Sequence, residues 1–160
     1  MSNFVPVLLK AEQLNILIVG YGRIGRRKAE KYLEAGASVC SIDPDPNQNA
    51  DFVMTFETYI KTHEAHFSEQ HMVYICTSST EANETVMGSC QAAAKLYNRT
   101  DAGNLGQFSD MAYLEAEDYL IATSGKAASP HMAKFLRSSL KEWLCSLSFE
   151  AAYKEWRNRK

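Results

Sequence analysis

The sequence predicts an α/β fold: a Rossmann-like parallel sheet with helices on both faces, closing with a long C-terminal helix. Short aliphatic runs alternate with amphipathic stretches of helical period. The segments between successive runs are long enough for right-handed βαβ crossovers. One run, "NILIVGYGRIG", passes through three glycines straight into a helical pattern.

The elements follow in order. Asn15 to Gly20 is an uninterrupted aliphatic run ending at glycine, the pattern of a strand buried on both faces. Beyond it Ile24, Ala29, Tyr32 and Leu33 fall near helical spacing, Arg23, Arg26, Lys28, Glu30 and Lys31 take the other positions, and Gly36 stops the helix. "SVCSIDPDP" is a second strand ending at Asp43, because Pro44 and Pro46 lack the N–H that a ladder needs. Residues 50–56 and 71–78 read as third and fourth strands, with "ETYIKTHEAHF" helical between or beside them. "STEANETVMGSCQAAAKL" opens with capping residues and is rich in alanine, so it reads as a helix. "YNRTD" gives a short fifth strand and residues 118–125 a sixth. Ser129 as N-cap and Pro130 at the first helical position open the closing helix, with apolar residues at Met132, Phe135, Leu136, Leu140, Trp143 and Leu144. The polar tail "EAAYKEWRNRK" either extends that helix or frays.

With 160 residues the chain has the size of one principal domain, and its 46% hydrophobic and 22% charged content is that of a globular protein. A net charge of −2 gives no long-range pull toward nucleic acid or an anionic membrane. Cys40, Cys76, Cys90 and Cys145 are scattered without metal-ligand spacing and read as buried structural thiols, with no metal site expected. The N-terminal residues lack a basic n-region and an apolar segment of membrane-spanning length, so the expectation is a cytoplasmic protein.

Chemistry concentrates in "GYGRIG". Gly20, Gly22 and Gly25 stand in G-x-G-x-x-G order, after a strand and at a helix start, and Asp43 follows Gly20 by 23 residues at the end of the next strand. Gly20 permits the turn, Gly22 lets the backbone approach a pyrophosphate, and Gly25 lets helix pack on strand. The pyrophosphate would sit on helix-start amides. Asp43 would accept from the adenosine ribose hydroxyls and repel a 2′-phosphate, which favours NAD over NADP. The bland alternative is a βαβ turn that merely tolerates glycine, with Arg23, Arg26, Arg27 and Lys28 as solvated helix charges or, for one at the helix start, a phosphate partner. The organisation expected is an NAD-binding Rossmann-like domain over residues 1–125 and a helical segment over 126–160.

Beyond the glycines, "VPVLLKAEQLNILIVGYGRIGRRKAEKYLEAGASV" resembles the opening of the precorrin-2 dehydrogenase and sirohydrochlorin ferrochelatase family, which includes the N-terminal module of siroheme synthase. "CTSSTEAN" is similar to that family's Ala-Thr-Asp-Asp segment with a later Asn, matching at Thr77 and Asn83. "YNRTDAG" resembles Val-Asn-Val-Val-Asp, matching at Asn98 and Asp101, and the Ser-Pro helix matches at Ser129, Pro130, Ala133, Leu136 and Arg137. The likeness runs in order from about Phe4 to Leu144.

The resemblance implies NAD-dependent oxidation of precorrin-2 to sirohydrochlorin on the path to siroheme, with iron insertion in some members. It implies Asp101 as the catalytic residue, a carboxylate able to take a proton as hydride leaves or to accept pyrrole protons. The implied cofactor set is Gly20, Gly22, Arg23, Ile24, Gly25, Asp43 and Thr77, and the implied substrate set is Asn98, Lys126, Ser129 and His131. Read without the resemblance, Asp101 is a turn aspartate, Ser129 an N-cap and His131 a surface histidine.

Departures from the family pattern are Ser78 and Ser79 in place of two acidic residues, "QFSDMAYLEAEDY" in place of an aromatic and proline-containing run, and Lys126 and Ala127 in place of a double glycine. The "QFSDMAYLEAEDY" segment is expected to line the tetrapyrrole pocket. The chain also stops soon after its first long helix, where the family continues with further helices, and homodimerisation is expected through Phe135, Trp143 and Leu147. Two other functions compete with the dehydrogenase: a non-catalytic NAD- or tetrapyrrole-binding module serving as sensor, carrier or pathway partner, and a nucleotide-binding domain that gates ion transport. The last gives no account of Asn98 to Asp101.

Overall fold

The computed structural model describes residues 4–116, 119–125, 130–146 and 149–159. The chain forms two compact units that divide after Ser109. That boundary lies earlier than the expected one after residue 125.

The first unit is a four-stranded parallel sheet with helices on both faces. Its strands are β1 (Asn15–Val19), β2 (Ser38–Ile42), β3 (Met72–Ile75) and β4 (Leu96–Arg99), in the order β2-β1-β3-β4. The helices are α1 (Arg23–Glu34), α2 (Phe56–Thr62), α3 (Glu64–Ser68) and α4 (Thr80–Ala92). β1 and β3 are buried almost throughout, as central parallel strands covered on both sides must be.

Because side chains alternate along a strand, the same strands feed two separate cores. Leu17, Val19, Ile42, Val73, Ile75 and Tyr97 pack with Phe56, Tyr59, Phe67, Val86 and Cys90 under α2, α3 and α4. Ile16, Ile18, Met72 and Tyr74 face the other way, onto Ala29 and Ala37, with Tyr32 and Phe108 against them.

The expected third strand over residues 50–56 is not a strand. Phe52 reaches the sheet through an isolated bridge to Ile42, and the Asp51 carboxylate accepts from the Ser41 N–H at 2.8 Å. Thr55 caps α2, its hydroxyl accepting from the Thr58 N–H at 3.3 Å, and Phe56 begins that helix. The apolar Phe52, Met54 and Phe56 thus reach the core from a loop and a helix start. The helical stretch after it breaks at His63 into α2 and α3. His63 and His66, given no role from sequence, join an aromatic cluster with Phe52 and Tyr59, in which the Tyr59 hydroxyl lies 2.5 Å from His66 Nδ1.

The second unit holds an antiparallel hairpin, β5 (Ala112–Ala116) and β6 (Tyr119–Thr123), with α5 (Pro130–Ser146) and α6 (Phe149–Arg157). The long closing helix is therefore present. The expected sixth strand belongs to this hairpin, because residues 112–115 and 119–123 alternate between half-buried and exposed. That is the pattern of a sheet covered on one face, which a strand inside the parallel sheet could not carry. β5 falls in the segment expected to line a pocket. In α5, Ala133 and Leu144 are buried while Phe135, Trp143 and, in α6, Trp156 are exposed.

The four cysteines differ in setting: Cys90 is buried, Cys40 and Cys76 are half-buried, and Cys145 on α5 is exposed, against the expectation for it. Burial pushes the Cys40 and Cys90 thiols up to about 12. No helix among the described residues is long and apolar enough to cross a membrane.

The Lys95 ammonium, 9% exposed, donates to the Ser68 and Gln70 carbonyls at 2.8 and 2.7 Å, where α3 ends. Lys95→Met is expected to leave both carbonyls without that donor and to cost about 1–3 kcal/mol, read as a lower urea midpoint.

Candidate functional site

The site begins at the carboxyl ends of β1 and β3. In the order β2-β1-β3-β4, successive crossovers leave β1 in opposite directions, so the gap between β1 and β3 is the topological switch point. Open parallel sheets bind ligands at that crevice.

Three glycines shape it, each differently. Gly20 has φ +92°, and a Cβ there would stand 2.7 Å from the backbone of Cys76 and Thr77. Gly25 faces the Gly20 carbonyl so closely that a Cβ would lie 2.1 Å from its oxygen. A Cβ on Gly22 would meet nothing within 4 Å. Two glycines are therefore demanded by packing and the third by nothing in the protein itself, which is what a backbone seat for a ligand requires. Gly22 is also the N-cap of α1 and offers no side-chain acceptor to the first-turn amides, leaving them suited to an anion.

Charge around the turn is of both signs. A cavity of about 480 Å³ lies over the start of α1, lined by Arg23, Ile24, Arg26, Arg27 and Glu30. Arg26 is more than a solvated helix charge: its Nε donates to the Tyr21 carbonyl at 3.1 Å and its Nη2 to the Gln48 carbonyl at 2.6 Å. It thereby ties the glycine turn to the loop after β2. Lys28 places its ammonium 5.1 Å from the Tyr74 ring centroid.

Asp43, just past β2, accepts from the Tyr21 N–H at 2.7 Å and from the Asp45 N–H at 3.0 Å. These bonds fix its carboxylate beside the glycine turn. Asp45 adds a second carboxylate there, held below its usual range by the Asn47 N–H and by the Gln48 and Asn47 side chains. Two anions beside the glycine turn would oppose a 2′-phosphate there, and the residues that could hold NAD are Gly20, Gly22, Arg23, Ile24 and Gly25 for the pyrophosphate and Asp43 for the ribose.

The second group sits beside the first, at the ends of β3 and β4. Thr77, whose backbone abuts Gly20, donates its hydroxyl to Asn83 Oδ1 at 2.7 Å, and Asn83 Nδ2 returns a bond to the Thr77 carbonyl at 3.2 Å. Ser79, one of the two serines replacing acidic residues, caps α4 through the Ala82 N–H. Asn83 also helps to hold the neighbouring Asp101 carboxyl down. Arg99 grips that carboxylate with both arms of its guanidinium, Nε to Oδ1 at 3.1 Å and Nη2 to Oδ2 at 2.6 Å. Arg99 first, then Asn83, hold the Asp101 carboxyl below the usual carboxylate range against the opposing effect of burial.

Sequence-predicted residues thus meet in two adjoining groups: Gly20, Gly22, Arg23, Ile24, Gly25 and Asp43 in one, Thr77 and Asp101 in the other. Asn98 stands apart from them in use, its Nδ2 donating to the Phe108 carbonyl at 2.7 Å and so tethering the loop after Asp101. Lys126 and Ser129 lie outside the described residues. His131 is exposed in the first turn of α5, in the second unit. Sequence reasoning gave no role to Asn83, which the resemblance had matched, or to Arg99. The available signal for Arg99 was a cation inside a buried strand, two residues before a carboxylate.

A family model described as "Putative NAD(P)-binding" matches residues 7–109, a span that holds every strand and helix of the sheet unit. The chain belongs to that family. Similar curated proteins include siroheme synthases of Tolumonas auensis, 26% identical over 144 residues that span 89% of this chain and 31% of the relative, and of Nitrosomonas eutropha, 29% identical over 145 residues spanning 86% and 30%. The chain spans about a third of the length of these relatives. Among solved structures, one titled "SirC, precorrin-2 dehydrogenase" shares the fold with a TM-score of 0.62 at 17% identity, over 87% of this chain and 70% of that one.

The glycines separate packing from binding. Gly22→Ala is expected to cost about 1 kcal/mol or less, as an exchanged N-cap, yet to weaken NAD binding at least about tenfold by calorimetry. Gly25→Ala is expected to cost about 3 kcal/mol or more, since the Gly20 carbonyl must move, and to lower the melting temperature before any ligand is added.

Acid dependence follows from Asp101. Its folded pKa lies below the unfolded value, so its contribution to stability is present above about pH 4 and is lost as pH falls through the folded value. In Asp101→Asn that part of the acid dependence is expected to disappear, checked by denaturant midpoints of both proteins between about pH 5 and about pH 2.5.

Proposed function

We propose that this chain oxidises precorrin-2 to sirohydrochlorin with NAD as hydride acceptor, in siroheme biosynthesis. The observation that carries the reading is the meeting of two groups at the β1/β3 crevice: the glycine turn with Asp43, and the bonded pair Thr77 and Asn83 with Asp101 near it, Thr77 lying with its backbone against Gly20. The siroheme synthases that match most of this chain support the same substrate.

NAD, when bound, supplies the acceptor for the hydride. The chain supplies the rest. Helix-start amides and the arginines of the α1 cavity meet the pyrophosphate, and Asp43 orients the ribose. Asp101, one-third exposed, presents an anionic oxygen edge to a substrate whose N–H groups need acceptors. Exposed Phe135 and Trp143 of α5 are the residues through which we place homodimerisation. We assign the protein to the cytoplasm.

A second reading, a non-catalytic binding module, draws support from the same ion pair: a carboxylate forked by arginine is a weak base. The two readings part in one assay. Enzymatically prepared precorrin-2 is mixed anaerobically with the protein and NAD or NADP, and NADH fluorescence is followed with the sirohydrochlorin absorption. The expected result is NAD reduction matched by product, at least about tenfold faster than with NADP, a discrimination of about 1.4 kcal/mol. NAD binding by calorimetry with no oxidation under these conditions sinks the dehydrogenase and selects the binding module.

A further inference from the structure

Arg99 lies in a strand whose side chains are otherwise neutral, and it is only 3% exposed. A guanidinium placed there loses its hydration and needs a specific partner. Along an extended chain residues two apart share a side, which brings Arg99 and Asp101 together. The backbone between them is fixed as well: the Thr100 N–H and hydroxyl both lie 3.1 Å from the Ile75 carbonyl. On the far side of Arg99, Nη1 rests against Met87 Sδ at 4.0 Å, a weak acceptor at best. The planar fork therefore has one strong partner, the Asp101 carboxylate, taken with two bonds.

Resting on the dehydrogenase reading above, we infer that Arg99 is a positioning residue that fixes the Asp101 carboxylate in place through both oxygens, so that Asp101 acts as a stationary anion rather than as the base that carries the proton away. The step then balances as follows. The macrocyclic C–H bond breaks with both electrons, the hydride passes to the nicotinamide, and the macrocycle is left with one more positive charge. Asp101 stabilises that charge as it develops, and the macrocycle then loses an N–H proton to water. A fixed anion suits the first event because its orientation costs nothing at the moment of reaction. A carboxylate already bound through both oxygens to a guanidinium gains little by taking a proton.

The groups that bear on this pair come from two elements: Arg99 and Tyr97 from β4, and Glu84 with the neutral Asn83 from α4. Removing Arg99 takes from Asp101 the two bonds that hold its carboxyl down, leaving the weaker lowering effect of Asn83 against the raising effect of burial, a change in the direction of easier protonation.

The test uses the full chain, the variant Arg99→Met, and carboxyl-directed ¹³C NMR with the Asp101 signal assigned through Asp101→Asn. Asp101 in the parent is expected to titrate below an ordinary aspartate, and in Arg99→Met about one pH unit or more higher. The acid limb of kcat/KM for precorrin-2 with NAD is expected to move up by the same amount, with NAD affinity unchanged within about twofold, a difference of about 0.4 kcal/mol. Arg99→Lys, which keeps the cation and loses the fork, should fall between the two and serves alone if Arg99→Met does not fold. An unchanged Asp101 midpoint, or a midpoint that moves while the kcat/KM limb stays, overturns the inference. A parent protein that binds NAD and oxidises nothing at any pH overturns the dehydrogenase reading instead, while the NMR midpoints still decide whether Arg99 holds Asp101.

Discussion

The contact between Gly25 and the Gly20 carbonyl sets the geometry on which this site depends. With no side chain at either position, α1 starts almost on top of the end of β1, and the β1 end presses in turn on the backbone of Cys76 and Thr77. One contact therefore fixes three things: the angle of the helix, the seat at Gly22, and the distance between the glycine turn and the residues that follow β3. A side chain at Gly20 or Gly25 would open the junction, and the two halves of the site would separate with it. The requirement is steric and local, which explains why so short a motif carries so much architectural information.

Around that junction the sheet divides its apolar residues between two cores, and the division has a functional side. The face under α2, α3 and α4 is broad and aromatic, with Phe52, Phe56, Tyr59 and Phe67 packed against β1 and β3. The face under α1 relies on the small residues Gly25 and Ala29 to let the helix lie close. Close packing by small residues brings the α1 N-terminus down to the level of the strand ends. Arg26 then secures the loop after β2 to the same turn, so that Asp43 and the Gly22 seat are held as one body.

The legible parts of the fold were those whose burial is continuous or whose sterics are unforgiving. β1 and β3 announce themselves as unbroken aliphatic runs, and the glycine turn by spacing and context. The segment from Ala50 to Phe56 misled because Phe52, Met54 and Phe56 alternate like a strand, whereas Thr55 caps a helix in their midst. The hairpin of β5 and β6 was half hidden for the converse reason: its alternation is weak, and Ala112 to Ala116 reads as plausibly as a loop. In the site, Gly20 and Gly25 were readable because each answers to backbone sterics, whereas Gly22 and Asp43 were picked out by their spacing from them. Asn98 was not, since its use as a tether to Phe108 depends on where the following loop returns. Arg99 was harder still, because the resembling segment carries valine there and a single cation in a strand has no spacing rule.

That arginine changes what the carboxylate beside it can be asked to do. A lone Asp at a strand end in a crevice is a natural proton acceptor, and its pKa would rise as substrate and cofactor displaced water. Asp101 is protected from that rise, since the charge compensating it is buried within the sheet and cannot be displaced by a ligand entering from solvent. The same burial makes the pair asymmetric. Arg99 has lost its water and depends on Asp101, while Asp101 keeps a third of its surface open. Removing the aspartate alone therefore exposes two effects at once, a missing anion in the site and an unpaired cation beneath it. Loss of activity in such a variant speaks to chemistry only when the arginine has been neutralised with it, so the double change Arg99→Met with Asp101→Ala is the cleaner comparison. The strand end is thus a single unit, a cation inside and an anion outside, with the anion kept in place by the buried cation.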